Sequence, residues 1–362
     1  MYRQGEKADQ SQDVRNSGVL RSWFNRWAWA SYANYDKIEK ELVRDKKNYS
    51  LVKHHQKHKG EPAIIVGAGI SLEKLIPLLR DWKGVIFTSE SMASTLKYYG
   101  HQPEYICLFD ANQTVWDLFF EGYHWKGSTL VTHPSVDVKA IEKWRYDKIY
   151  YIMMHFSRLQ GKLEQEGKTI LEIERVIKDQ LLGFDFFENI LPVVYSFIGA
   201  SILNAGCVVN NAIEVANFMG YGPLFLSGVD FGFKDWIHRY PQVKKVKGRW
   251  KKDDLRVVKH EDENGEIVDG IDISREIIIG DNGMPTTDEM AEYKLALMSV
   301  YKLDRPQLID CSDGIITELP KADIREVVKQ NGKGFEDRFK TDEEIIRCAD
   351  AYFDTRKTVP TQ

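Results

Sequence analysis

P-A-I-I-V-G-A-G-I-S-L, residues Pro62–Leu72, decides the fold. A short apolar run, Ala63–Val66, breaks into Gly67-Ala68-Gly69, and a helix-like pattern follows over Ser71–Arg80. Four apolar residues bounded by a turn signal read as a buried strand. Such a strand, ending in glycines at a helix start, forms a phosphate cradle. The glycines let backbone approach oxygen closely, and the open N–H groups of the helix start point at the anion. The stretch therefore points to a nucleotide, although one glycine turn is not specific.

Outward from this stretch, strands and helices alternate. Val85–Ser89 reads as a strand, Met92–Tyr99 as a helix and Tyr105–Asp110 as a strand, with further strands at Thr129–Thr132 and Ile149–Met153. Residues 155–190 and Gly199–Met219 read as helical, and Leu224–Asp230 as a buried strand ending in an acid. Helix Thr287–Tyr301, strand Gln307–Cys311, helix Lys321–Lys329 and a charged helix at Thr341–Phe353 complete the pattern. This rhythm predicts an α/β, Rossmann-like fold, a mostly parallel sheet with helices on both faces. Tyr240–Asp272 interrupts it with a basic stretch, Lys244–Lys252, and strand-like Leu255–Lys259. The turn Asp262-Glu263-Asn264-Gly265 follows, and Asn-Gly between short strands signals a hairpin. The segment is read as an inserted β-arm over 240–272. Its basic stretch could touch phosphate, although a solvated face is the plainer reading.

Three regions result: a polar tail with a Trp-rich helical extension over 1–60, a catalytic domain over 61–335, and a helix and tail over 336–362. Trp23 and Trp27 share a face of the extension. They either anchor a protein partner or a membrane surface, or pack the helix on the main domain, and packing is the better expectation. His54, His55 and His58 have spacing that could suit a metal, but no acidic or Cys ligand lies nearby, so a solvated linker is expected.

The 362 residues, 43% hydrophobic and 29% charged, suit a folded domain with a substantial core. A net charge of −4 gives no global reason to bind nucleic acid or an anionic membrane. No apolar run reaches the ~18 residues of a spanning helix. The polar N-terminus does not read as a signal peptide. Cys107, Cys207, Cys311 and Cys348 show no C-x-x-C, and buried free thiols in a reducing cytoplasm are expected.

Ligands of doubly wound sheets sit beyond the carboxyl ends of the strands. Three strands end suitably: Val66 in the glycine turn, Phe109 in Asp110, and Val229 in Asp230. An acid there can hold a ribose hydroxyl, bind Mg²⁺, act as a base, or cap the next helix. A dinucleotide fingerprint would need glycine at Leu72, although Glu90 lies at a suitable distance to meet a ribose. G-x-x-x-x-G-K-[ST] and G-x-S-x-G are both absent, which removes a P-loop ATPase and an α/β-hydrolase elbow. Gly199, Ser201 and Asn204 crowd a second predicted helix start, read as another anion or base site or as small-residue packing.

Taken in order, G-A-G-I-S-L at 67–72, F-D at 109–110, G-A-S…N-N-A…A-N-F-M-G at 199–220 and S-G-V-D-F at 227–231 with His238 resemble the MptE-like family. N-G-M-P-T-T at 282–287 and I-D-C-S-D-G-I-I at 309–316 extend the likeness over roughly 60–330. That family includes archaeal 6-hydroxymethylpterin diphosphokinase and the catalytic domain of Maf flagellin glycosyltransferases, and is related to sialyltransferases that use a CMP-sugar. The resemblance implies that Gly67, Gly69 and Ser71 hold donor phosphate and that Asp110 meets ribose or metal. Gly199 and Ser201 would line the nucleotide, and Asp230 with His238 would border the reacting centre. Ile70 departs from the family's usual proline.

The leading expectation is a glycosyltransferase using a nucleotide-activated sugar, a CMP-nonulosonate, with a hydroxyl acceptor. His238 is the natural base, since imidazole titrates near neutral pH. Diphosphate transfer from ATP, with Asp110 and Asp230 on Mg²⁺, is the second expectation. A degenerate binding module acting through the Trp-rich helix is the third.

Overall fold

The computed structural model describes residues 25–45, 50–145, 148–155, 190–203, 206–273, 275–280, 282–304 and 307–335. Its centre is one parallel sheet of seven strands in the order β13-β8-β1-β2-β3-β4-β5. These are β1 (Ala63–Val66), β2 (Val85–Ser89), β3 (Tyr105–Leu108), β4 (Thr129–Thr132), β5 (Ile149–Tyr151), β8 (Leu224–Ser227) and β13 (Leu308–Asp310). β6 (Met153–His155) and β7 (Ser201–Leu203) form a small parallel ladder beside it. Two antiparallel hairpins, β9–β10 (Val243–Val246, Arg249–Lys252) and β11–β12 (Ile277–Ile279, Pro285–Thr287), complete the strands.

The strands are mostly apolar, with polar residues chiefly toward their carboxyl ends, because both faces are covered. Ile64, Val66, Ile86, Phe225 and Ile309 pack with Met92 and Leu96 of α2 (Glu90–Tyr98) and with Ile324 and Val327 of the C-terminal helix Ile324–Gln330. The alternate residues, Ile65, Phe87, Cys107 and Leu226, meet Ile213 and Ala216 of the helix Val208–Met219 and Leu297 of Asp288–Asp304. In chain order α1 spans residues 25–39, α3 is Val138–Lys143, α4 Val208–Met219, α5 Asp288–Asp304 and α6 Ile324–Gln330. The Rossmann-like α/β architecture read from the alternation is thus present. Its switch point is β1, paired on one side with β2 and on the other with β8. Ligand crevices open at such points.

Several local expectations are corrected. Ser71–Arg80 is not one α-helix but two 3-10 turns, Ile70–Lys74 and Ile76–Leu78, with Pro77 at the start of the second. Proline inside a helix removes an N–H and clashes with the preceding turn. Gly199–Met219 is not one helix either: β7 comes first, and α4 starts at Val208 after Gly206, whose φ of +86° a helix cannot hold. Of the inserted arm, the regular hairpin is β9–β10, in the stretch read as a basic face. It turns through Lys247 and Gly248, both with positive φ, as a tight two-residue hairpin turn requires. The Asp262–Gly265 turn forms, but only a single bridge, Glu261 to Ile267, flanks it. Leu255–Lys259 likewise contributes isolated bridges rather than a strand.

The His connector is largely exposed, as read, but it is tied to the domain. Gln56 and His58 donate backbone N–H bonds to Phe218 and Met219 O at the end of α4, and His58 stacks on Tyr221 with ring centroids 4.4 Å apart. Among the described residues no set of three or more His, Cys, Asp or Glu side chains gathers as a metal site. α1 packs on the domain: Asn34 Nδ2 donates to Pro134 and Val136 O, and the Tyr195 hydroxyl to Ser31 O. Its Trp29 and Tyr32 remain exposed. Cys107, Cys207 and Cys311 are free thiols. The polar tail, Trp23, the helices read at 155–190 and 341–353, Asn204 and Cys348 lie wholly or almost wholly outside the described residues. No described helix is long and apolar enough to cross a membrane.

Candidate active site at the carboxyl edge of the sheet

The glycine turn meets protein before it meets any ligand. Gly67 N–H donates to Ser227 O at 2.9 Å and Gly69 N–H to Gly228 O at 2.7 Å. A Cβ on Gly67 would lie 2.3 Å from Gly228 O, and one on Gly69 would lie 2.4 Å from the Asp230 carboxylate. Asp230 is buried, and both its oxygens accept from Ser71, one from N–H at 2.9 Å and one from the hydroxyl. Gly314 presses on the Asp230 backbone, and Ile315 N–H donates to Asp230 O at 2.8 Å. The turns after β1, β8 and β13 are thus knotted together, and their small residues are needed for backbone contact. Of the predicted cradle, the N–H groups of Gly67, Gly69 and Ser71 are engaged inside the protein.

Asp230 in turn is committed to Ser71. Burial raises its pKa, and the two Ser71 bonds pull it back. To serve as base or metal ligand it would have to give up bonds that fix the turn.

Unspent polar groups lie one and two strands away. Glu90 follows β2 as the first residue of α2, where the helix start favours a negative charge. It is nevertheless 7% exposed, and its Oε2 has no hydrogen-bond partner. Burial, with Asp110 beside it, pushes its carboxyl up to about 8. Asp110 follows β3 and is half-buried; it accepts from Asn112 N–H at 2.9 Å. Burial raises its pKa against that bond and the nearby Arg26 of α1. α4 packs over β1, β2 and β3 on this side, its N-terminal end toward the same edge. Two carboxyl groups at neighbouring strand ends, one with an oxygen left over, can receive ribose hydroxyls or a cation.

His238 reaches the edge by a different route. Its N–H donates to Arg256 O in the arm, and two residues later Tyr240 N–H donates to Ala68 O in the glycine turn, both at 2.9 Å. The segment is therefore strung between arm and turn. His238 is half-buried, with Nδ1 unpartnered. Burial, then Arg239 and Arg256, lower its pKa, which keeps the imidazole neutral at pH 7.

Among the described residues no hydrogen bond or ion pair links Gly199 or Ser201 to this group. Both are exposed; Ser201 sits in β7, paired with Met153, and Gly199 precedes it with φ +68°. Glu90 was legible in the sequence as a ribose-distance acid. Its unpartnered oxygen was not, because that depends on how α2 and α4 close over the strand end.

This sheet, with its knotted turns and acid-tipped strands, is a Rossmann-like frame. The family model described as 6-hydroxymethylpterin diphosphokinase MptE-like matches residues 33–235, more than half of the chain, and the chain belongs to that family. The match begins inside α1, within the stretch read as an extension. No curated protein matches the chain. Among solved structures it is similar to the Maf glycosyltransferase from Magnetospirillum magneticum AMB-1, at 16% identity and a TM-score of 0.41. That similarity covers 78% of this chain and 39% of the other, so the chain spans about two fifths of that protein.

Proposed function

We propose that the protein is a transferase whose donor is a nucleotide-activated sugar with a single phosphate, a CMP-nonulosonate being the best fit. The observation that carries this reading is the engaged glycine turn. With Gly67, Gly69 and Ser71 N–H groups already bonded inside the protein, the turn has little left to wrap a triphosphate, whereas one leaving phosphate needs few donors. Glu90 and Asp110 then face the ribose. His238, neutral and with Nδ1 buried and unpartnered, takes the proton from the acceptor hydroxyl once the acceptor reaches that nitrogen, as the sugar–phosphate bond breaks. The nucleotide leaves with the bonding electron pair, and the acceptor oxygen forms the new glycosidic bond.

A second reading, diphosphate transfer from ATP to a hydroxymethyl group, has its own support in the family's description and in the Glu90–Asp110 pair. The unpartnered oxygen of Glu90 and the carboxyl of Asp110 suit a Mg²⁺ ion, which keeps few protein ligands and takes the rest from phosphate and water. Mg²⁺ would supply charge neutralisation of the phosphates. Asp230, read earlier as a second ligand, would need to abandon Ser71.

Calorimetric titration with CMP and with ATP, each with and without Mg²⁺, separates the two. CMP binding without metal, with CMP released from a CMP-sugar on turnover, supports the first reading. Binding of Mg-ATP alone, lost in Asp110→Asn, replaces it with the second. No binding of either sinks both.

A further inference from the structure

The two faces of the β9–β10 hairpin are unlike. Its cross-strand pairs are Val243 with Lys252, Lys244 with Lys251, Lys245 with Trp250 and Val246 with Arg249. Paired residues share a face, and successive pairs alternate. One face is sealed against the domain. Val243 is fully buried there, its N–H donating to Thr95 Oγ1 at 2.9 Å. Lys245 pairs with Glu121 at 2.9 Å, Trp250 stacks on Tyr123 at 3.9 Å, and the Lys252 amine donates to the Tyr99 hydroxyl at 2.6 Å.

The opposite face carries Lys244, Lys251 and Arg249, with Lys247 in the turn at its end. Lys247, Arg249 and Lys251 are exposed and, among the described residues, form no ion pair. Asp253 continues this face, its N–H donating to Gln242 O, and it meets Lys244 at 3.0 Å and Arg239 at 3.7 Å. Lys244, Lys247, Arg249, Lys251 and Arg239 thus share one carboxylate, and even with the exposed Asp254 beside it cations stay in excess. The chain as a whole has a net charge of −4, so the excess is local. Like charges set directly opposite, as Lys244 and Lys251 are, weaken a sheet unless an anion covers them.

The face selects among anions. Bases of a single-stranded nucleic acid stack on open aromatic rings, and here Trp250, Tyr123 and Tyr99 are engaged on the sealed face. A stable protein interface has an apolar centre, and Val246 is the one apolar residue among the pairs of this face. The headgroup layer of an anionic bilayer needs neither, because it attracts cations on flexible stems wherever along the surface they lie. We infer that the outer face of the β9–β10 hairpin docks the protein on an anionic lipid bilayer.

The test is co-sedimentation of the full chain with vesicles of phosphatidylcholine and phosphatidylglycerol, and with vesicles of phosphatidylcholine alone. Protein should sediment with the first and not the second, and added salt should release it. Each cation near an anionic surface contributes about a factor of five, so Arg249→Gln with Lys251→Gln should weaken binding about 25-fold. Lys57 and Lys59 are exposed on the His connector, beside the end of α4. Lys57→Gln with Lys59→Gln makes the same change in net charge and should leave binding within about twofold. Matching melting curves establish that the variants fold. Equal weakening by both pairs, or equal sedimentation with both lipids, overturns the inference. So does tighter binding of a DNA duplex or of polyglutamate than of the anionic vesicles. Vesicle binding does not depend on the transferase reading, and its failure leaves the nucleotide titrations untouched.

Discussion

Gly67→Ala distinguishes a glycine kept for packing from one kept for phosphate. The added Cβ would stand 2.3 Å from Gly228 O, a backbone atom held by its own turn, where contacts under 3.0 Å are essentially never found. The two turns must part by the best part of an ångström. That strains or breaks two bonds, Gly67 N–H to Ser227 O and Gly69 N–H to Gly228 O. Two buried hydrogen bonds contribute about 0.5–1.5 kcal/mol each, and overpacking costs about 1–3 more, so the loss is about 2–6 kcal/mol. At about 2–4 °C per kcal/mol for a domain of 150–250 residues, the melting temperature should fall by roughly 5–20 °C. Circular dichroism melts measure this, with Gly265→Ala as comparator; that glycine has φ +78° and nothing within 4 Å of an added Cβ, so it reports backbone strain alone. A Gly67→Ala protein that melts like the wild type yet no longer binds nucleotide would refute the packing argument.

Three further outcomes follow from the same geometry. Glu90 holds a proton in the fold that the unfolded chain releases near pH 4.5, so its contribution to stability is greatest below that pH. It falls as pH rises toward about 8, by up to about 1.4 kcal/mol per unit, and is constant above. Glu90→Gln should remove that share of the slope between urea midpoints at pH 5, 6.5 and 8; identical slopes in the two proteins would refute it. Asp230→Asn, which cannot accept both Ser71 bonds, should cost about 1–3 kcal/mol in denaturant melts, and wild-type stability with abolished activity would instead make Asp230 catalytic. Trp29→Ala with Tyr32→Ala should change stability by less than about 0.5 kcal/mol, since the two side chains are 54% and 84% exposed; a large loss would show that α1 is held through them.

Much of the frame was legible because its signals are local. Ala63–Val66 and Leu224–Leu226 are apolar without interruption, as strands covered on both faces must be, and their spacing with helical stretches gives the parallel sheet. What could not be read is whatever a distant residue decides. Ser71 lies in the first 3-10 turn, bonded to an acid 159 residues away, and the helical pattern after it gives no sign of that partner. The β7 strand hides in a helix-like run because the ladder with Met153 overrides local propensity. The site divides the same way: Asp110 and His238 are visible as residue types at strand and loop ends. Whether their polar atoms are spent is a tertiary fact.

That division explains why the motifs most easily recognised are not those best placed for chemistry. Gly67, Gly69, Gly228, Asp230 and Gly314 stand where three turns interlock, and small residues with one carboxylate permit it. Interlocking fixes the floor of the crevice and, through Ala68 O, the position of the Tyr240 segment that carries His238. A preorganised site needs its supporting contacts fully made and its reactive groups left unmade. The knotted turns are the first kind, with their hydrogen bonds spent. Glu90 Oε2 and His238 Nδ1 are the second, buried without partners at a cost the fold has to carry. Substitution in the knot should therefore lower stability and activity together. Glu90→Gln and His238→Gln should lower activity while the protein still melts at or above the wild-type temperature, because removing an unpartnered ionisable group relieves the fold.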